Sequence, residues 1–197
     1  MRIQSPSFIG ILRRLIVSEA TKSNYIGENV SKASHMIGAA RCAQRNFFDD
    51  EIVVACLFHD VGHLLAPDDT GGYGVANHAQ IGASLLCALQ FTPRICDAVF
   101  HHVNAKRYAV GSDPSYVLSP ASKETLKYQG GPMVHAPERY QFKNNPAFDD
   151  AMAVRECDDT SKMVDLDKDE VAAVFDEMTP LIVKGYVGGG IVPLRRS

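Results

Sequence analysis

An apolar run that ends in an imidazole and a carboxylate limits this chain more than any other feature. Residues 52–58 read Ile-Val-Val-Ala-Cys-Leu-Phe and lead directly into His59-Asp60-Val61-Gly62-His63. Asp49-Asp50-Glu51 precedes the run, and negative charge suits a helix N-terminus. The segment therefore predicts a helix buried all round that carries His59 and Asp60 into the interior. On a continued helix His59 and His63, four residues apart, would share a face. A lone histidine of this kind is ordinarily a satisfied core residue. A buried aspartate beside it costs several kcal/mol unless a cation or hydrogen bonds compensate, so the doublet points to a metal.

The rest of the chain predicts helices and gives almost no strand signal. Helical spacing recurs over 6–20, 29–44 and 77–90. Thr92-Pro93 and Ser119-Pro120 each place a capping residue before a proline at the first helical position. The first opens a helix through His101-His102 and the second a helix over 121–129, ended by Gly130-Gly131-Pro132. Further helices are expected over 146–162 and 168–184, with a loosely ordered tail over 188–197. The fold class expected is all-α, a helical bundle. With 197 residues, 46% of them hydrophobic, the chain can bury one core and forms one domain over 1–197.

Charge and cysteine usage remove several function classes. A net charge of −3 and a pI near 6.1 leave no basic footprint for nucleic acid or an anionic membrane. Cys42, Cys56, Cys87, Cys96 and Cys157 are odd in number and form no C-x-x-C pair, so neither a disulfide framework nor a zinc knuckle is expected. The apolar N-terminal run is broken by Arg13-Arg14 and lacks the shape of a signal peptide or membrane span. A soluble cytoplasmic protein is the expectation, and the oligomeric state is not legible.

More histidines and one more aspartate fall where an α-helical metal site would draw them. His35, His78, His102 and Asp158 lie on four further predicted helices, one to each. Four imidazoles and two carboxylates exceed the demand of one ion and suit a bridged pair with open positions. Nitrogen and oxygen donors without thiolate favour iron, manganese or magnesium over structural zinc. His101 faces elsewhere on its helix and His135 falls in a predicted loop, so neither is a candidate ligand. Lys106, four residues after His102, and Arg155, three before Asp158, share faces with those residues. With His63 they would supply positive charge to an anionic substrate. Ser122, Thr125 and Gln129 form a polar stripe along another helix. Gly71-Gly72-Tyr73-Gly74 looks like a phosphate cradle, but it follows no strand and lacks the P-loop lysine. It reads as a loop positioning His78.

The order His35, His59-Asp60, His78, His102, Asp158 resembles the dinuclear branch of the HD-domain superfamily, which contains phosphohydrolases and oxygenases. Within it the chain is similar to the mixed-valent diiron oxygenases acting on 1-hydroxy-2-aminoethylphosphonate and its N-trimethyl analogue. The resemblance runs over roughly 24–162. Its most specific strings are Tyr25-Ile26-Gly27-Glu28 and Tyr128-Gln129-Gly130-Gly131-Pro132-Met133. It implies two iron ions, Fe(II) and Fe(III), held by His35, His59, Asp60, His78, His102 and Asp158, with Asp60 bridging. Dioxygen would be the co-substrate and the carbon–phosphorus bond the one cleaved, giving phosphate and glycine or glycine betaine. Tyr25 and Glu28 would form a gate at one iron before substrate arrives, and Ser122, Thr125 and Gln129 would surround the phosphonate with His63, Lys106 and Arg155. The free-amine phosphonate is preferred slightly over the trimethylated one. The competing expectation is a metal-dependent phosphohydrolase acting on a phosphate ester, which has no use for a Tyr25–Glu28 gate.

Overall fold

The computed structural model of the chain describes residues 7–20, 30–161 and 165–187. Among them are nine α-helices and one 3-10 turn, and the single β feature is an isolated bridge between Phe91 and Tyr186. The protein is all-α, as its sequence predicts. The expected loose tail lies outside the described residues.

The buried centre is α3 (Asp50–Phe58), which starts where Asp49 accepts hydrogen bonds from the backbone of Glu51 and Ile52. Its residues 52–58 are all buried, so the helix is held by packing on every side rather than by an amphipathic stripe. Three longer helices enclose it: α2 (Lys32–Arg45), α5 (Pro93–Ser112) and α8 (Phe148–Thr160). Ser31 and Thr92 cap α2 and α5, and Pro93 occupies the first turn of α5. On the far side α1 (Ser7–Glu19) pairs with α9 (Lys168–Lys184), whose Asp167 and Glu170 make a reciprocal capping box. The rings of Phe91, Phe58 and Phe175 meet edge to face where these layers join.

Two elements differ from the expectation. The helix that should have run through His63 stops at Phe58; His59 is its C-cap, and Val61–Leu64 forms a 3-10 turn. Gly62 explains the change, because a Cβ there would lie 2.0 Å from the backbone oxygen of His78. The turn is pressed against α4 (His78–Ala88) more closely than an α-helix with side chains could come. The second difference is a short helix, α7 (Ala136–Lys143), in a region where no helix is expected from the sequence. It follows α6 (Pro120–Tyr128) and covers a small satellite core of Ala105, Met133, Phe142 and Ala151.

Candidate metal centre and substrate pocket

Five elements deliver six donor side chains to one point. His35 comes from α2, His59 and Asp60 from the end of α3, His78 from the first residue of α4, His102 from α5 and Asp158 from α8. They form two groups, His35–His59–Asp158 and Asp60–His78–His102, each with its donor atoms within 4.8 Å of one another. Asp60 faces both. Its Oδ2 is 3.6 Å from His59 Nε2 and 3.8 Å from His35 Nε2, while Oδ1 is 3.3 Å from His78 Nε2 and 3.7 Å from His102 Nε2. One carboxylate thus offers an oxygen to each group.

The hydrogen bonds behind the imidazoles test whether a cation fits. His59 Nδ1–H donates to the Cys56 carbonyl, His78 Nδ1–H to Val75 and His102 Nδ1–H to Val99. Ser161 Oγ gives its own proton to the Asp158 carbonyl and so accepts from His35 Nδ1–H. These outward bonds leave Nε2 as the atom that each ring turns to the centre; His35 Nε2 meets Asp158 Oδ1 at 3.0 Å, and His78 and His102, kept neutral by burial, carry their lone pairs on Nε2. His78 and His102 then oppose lone pairs across 3.1 Å, which is repulsive unless a cation lies between. His59 Nε2 is buried without a hydrogen-bond partner among the described residues. Outward Nδ1 bonds of this kind orient histidine ligands in metal sites.

Charge balance points the same way. Burial would raise the Asp60 and Asp158 carboxyls, but the imidazoles around Asp60 and the Arg155 guanidinium beside Asp158 hold both well below the usual range. Burial would lower His59, yet Asp60 and Asp158 hold it up at about 9. Two ionised carboxylates in a closed interior therefore draw positive charge to this point. Burial keeps His78 and His102 below their ordinary value, neutral and able to donate. The residues fit metal ions, with nitrogen and oxygen donors only.

A narrow cavity opens on the Asp60–His78–His102 side, walled by His63, Lys106, Ser122, Thr125, Gln129 and Arg155. All six are residues expected from the sequence to bind substrate, and the fold brings them together. Lys106, 4% exposed, donates to Thr125 Oγ1 at 3.0 Å, and Arg155, 2% exposed, bonds Asp158 Oδ2 at 2.7 Å and Asp159. Gln129 keeps a buried amide oxygen with no partner among the described residues. His63 differs from the four inward histidines. Its Nδ1 accepts from the Val75 backbone N–H at 2.9 Å, so the neutral ring carries its proton on Nε2 and presents a donor. Burial and neighbouring His78 push it down to about 3, so it stays neutral and does not supply the positive charge expected of it from the sequence. His101 and His135 remain outside the cavity lining, as expected. Tyr25 and Glu28 lie outside the described residues.

The sequence signature of the HD domain matches residues 26–163. The chain belongs to the HD-domain family. Among curated proteins it is 40% identical to a [1-hydroxy-2-(trimethylamino)ethyl]phosphonate dioxygenase (glycine-betaine-forming) of Leisingera caerulea, over 73% of this chain and 74% of that protein. It is 32% identical to a hydroxymethylphosphonate dioxygenase of Gimesia maris, over 71% of this chain and 72% of that one. An uncharacterised protein of Acanthamoeba polyphaga mimivirus is 36% identical over 72% of this chain and 67% of its own length. The two relatives with named activities are dioxygenases of phosphonates, and this HD-domain chain is an oxidoreductase acting on a small molecule. No helix among the described residues is long and apolar enough to cross a membrane.

Proposed function

We propose that this protein uses two iron ions and dioxygen to cleave the carbon–phosphorus bond of a 1-hydroxyphosphonate bearing an amino or trimethylammonio group at its second carbon. The products are phosphate and glycine or glycine betaine. The observation that carries the reading is Asp60, one carboxylate shared between two groups of imidazole and carboxylate donors, beside a pocket lined with buried cations. His35, His59 and Asp158 would hold one ion, His78 and His102 the other, and Asp60 both. Bound there, the iron pair supplies the activation of dioxygen and the oxidation at the hydroxyl-bearing carbon.

The chain's own side chains account for recognition. A phosphonate carries up to two negative charges and three acceptor oxygens, and the pocket answers with the Lys106 ammonium, the Arg155 guanidinium, the His63 Nε2–H and the Thr125 hydroxyl. Ser122 and Gln129 complete the polar wall. Both dioxygenase relatives are named for phosphonates whose phosphorus-bearing carbon also carries hydroxyl, and they differ in what is attached beyond it. The six-residue wall would bind the shared end, leaving the amine to residues outside it. Tyr25 and Glu28 would gate one of the two iron positions before substrate enters, as the family resemblance implies. The relative acting on the trimethylated phosphonate puts that substrate beside the free amine.

The test is phosphate release from 1-hydroxy-2-aminoethylphosphonate, its N-trimethyl analogue and hydroxymethylphosphonate, with iron-loaded protein under air and under argon. Release that needs oxygen, from one or both of the nitrogen-bearing compounds, is the expected result. Release under argon, or activity confined to phosphate esters with manganese, would make the protein a phosphohydrolase.

A further inference from the structure

The glycine-rich segment that imitates a phosphate cradle already holds an anion, its own Asp68. Asp68 Oδ1 accepts from the Thr70 backbone N–H at 2.8 Å, and Oδ2 accepts from Gly74 at 2.9 Å and Gly72 at 3.1 Å. Gly72 and Gly74 make this possible with φ of 110° and 89°, values that side chains beyond glycine rarely adopt. Asp69 adds a second clasp by accepting from the Ala76 N–H at 2.8 Å. The loop therefore has no free cradle to offer a ligand. Its use lies in what it presents inward, the peptide groups of Val75.

Val75 serves two imidazoles in opposite senses. Its N–H donates to His63 Nδ1 at 2.9 Å, and its carbonyl accepts from His78 Nδ1–H at 2.9 Å. The two rings stack with centroids 3.9 Å apart and an interplanar angle of 18°. Side by side and alike in surroundings, they are distinguished by that one residue's backbone, which leaves a donor N–H on His63 and an acceptor lone pair on His78. Rotating the Val75 peptides would remove the distinction. Asp68 is exposed and does not line the pocket, so whatever it does there passes through the loop.

We propose that Asp68 is a positioning residue: by gathering the 68–75 loop onto its carboxylate it fixes the Val75 backbone, which sets His63 as an Nε2–H donor to substrate and His78 as an Nε2 donor to metal. The roles of substrate donor and metal donor rest on the oxygenase reading; the tautomers do not. This separates the two in experiment. Ring-nitrogen NMR of 15N-histidine-labelled, zinc-loaded protein reads the tautomer of His63 directly, its signal assigned with His63→Gln. The wild-type chain shows His63 protonated at Nε2. Asp68→Ala gives a mixture of the two tautomers, and Asp68→Asn, which keeps one acceptor oxygen and the side chain's size, falls between.

In iron-loaded protein the kinetic counterpart of Asp68→Ala is a KM for the phosphonate raised roughly tenfold, as expected for a weakened bond to a charged group. The turnover number changes less than threefold, roughly, because the reacting atoms are untouched. A His63 tautomer unchanged in both variants overturns the proposal, whatever the kinetics. A tautomer that shifts while KM stays at the wild-type value keeps the positioning role and overturns the assignment of His63 as a phosphonate donor. Should the alanine variant fail to fold, the asparagine variant carries the same readouts.

Discussion

Lys106 lies buried between the Thr125 hydroxyl and the field of Arg155, and burial, reinforced by that guanidinium, lowers its ammonium to about 7 from an ordinary value of 10.5. Below pH 7 it is a cation that can pair with a phosphonate; above, it is neutral. Between 7 and 10.5 the unfolded chain holds the extra proton, so on this group's account stability rises with pH while substrate affinity falls. A KM that climbs across pH 7 to 9 is expected in wild type, and Lys106→Met should raise KM about tenfold or more at pH 6 and flatten that climb. The metal donors answer to a different assay. His59→Ala or His102→Ala should lower bound iron per chain by metal analysis, and chelation of the wild-type protein should lower its melting temperature, because ions bound only by the folded state stabilise it. These residues were legible because histidine and aspartate in an apolar run have few other uses. The hydrogen bonds that turn each ring were not legible, since the backbone carbonyls of Cys56, Val75 and Val99 that accept them carry no mark in the sequence.

Helix starts were read from Thr92-Pro93, Ser119-Pro120 and the acidic residues before α3, and each begins within a residue or two of the expected place. Caps act within one turn, so they are local and readable. The 3-10 turn at Val61–Leu64 was not, because it arises from contact with α4, sixteen residues on from Gly62. Helix α7 was missed although Pro137 and Glu138 supply a start signal; its polar composition hides the one buried aromatic, Phe142, that anchors it. Gly62 therefore carries a prediction. Gly62→Ala would force a Cβ to within 2.0 Å of the His78 oxygen, pushing apart the elements that hold Asp60 and His78. The variant should lose about 1–3 kcal/mol or more by denaturant titration, as overpacked sites do, and bind less iron than wild type. Retained stability with full iron would show that the close approach is dispensable.

Across the molecule, α1 and α9 pair with each other and close the core against α2 and, from α9, against α3. Phe175 on α9 is fully buried against Phe58, while Phe58 neighbours His59 in sequence. Removing that ring should cost about 3–5 kcal/mol, or roughly 10 °C in melting temperature for a chain of this size. The folded fraction of Phe175→Ala should still bind iron, because the donors hang on α2, α4, α5 and α8 as well as α3. The proposed function depends above all on one carboxylate, Asp60, joining two metal ions in a single centre. Electron paramagnetic resonance of the iron-loaded protein, partly reduced with ascorbate, tests it most directly. The signal of a spin-coupled Fe(II)/Fe(III) pair, lost in Asp60→Ala, is expected; an isolated ferric signal from the wild-type chain, with no coupled species at any stage of reduction, would rule out a shared centre.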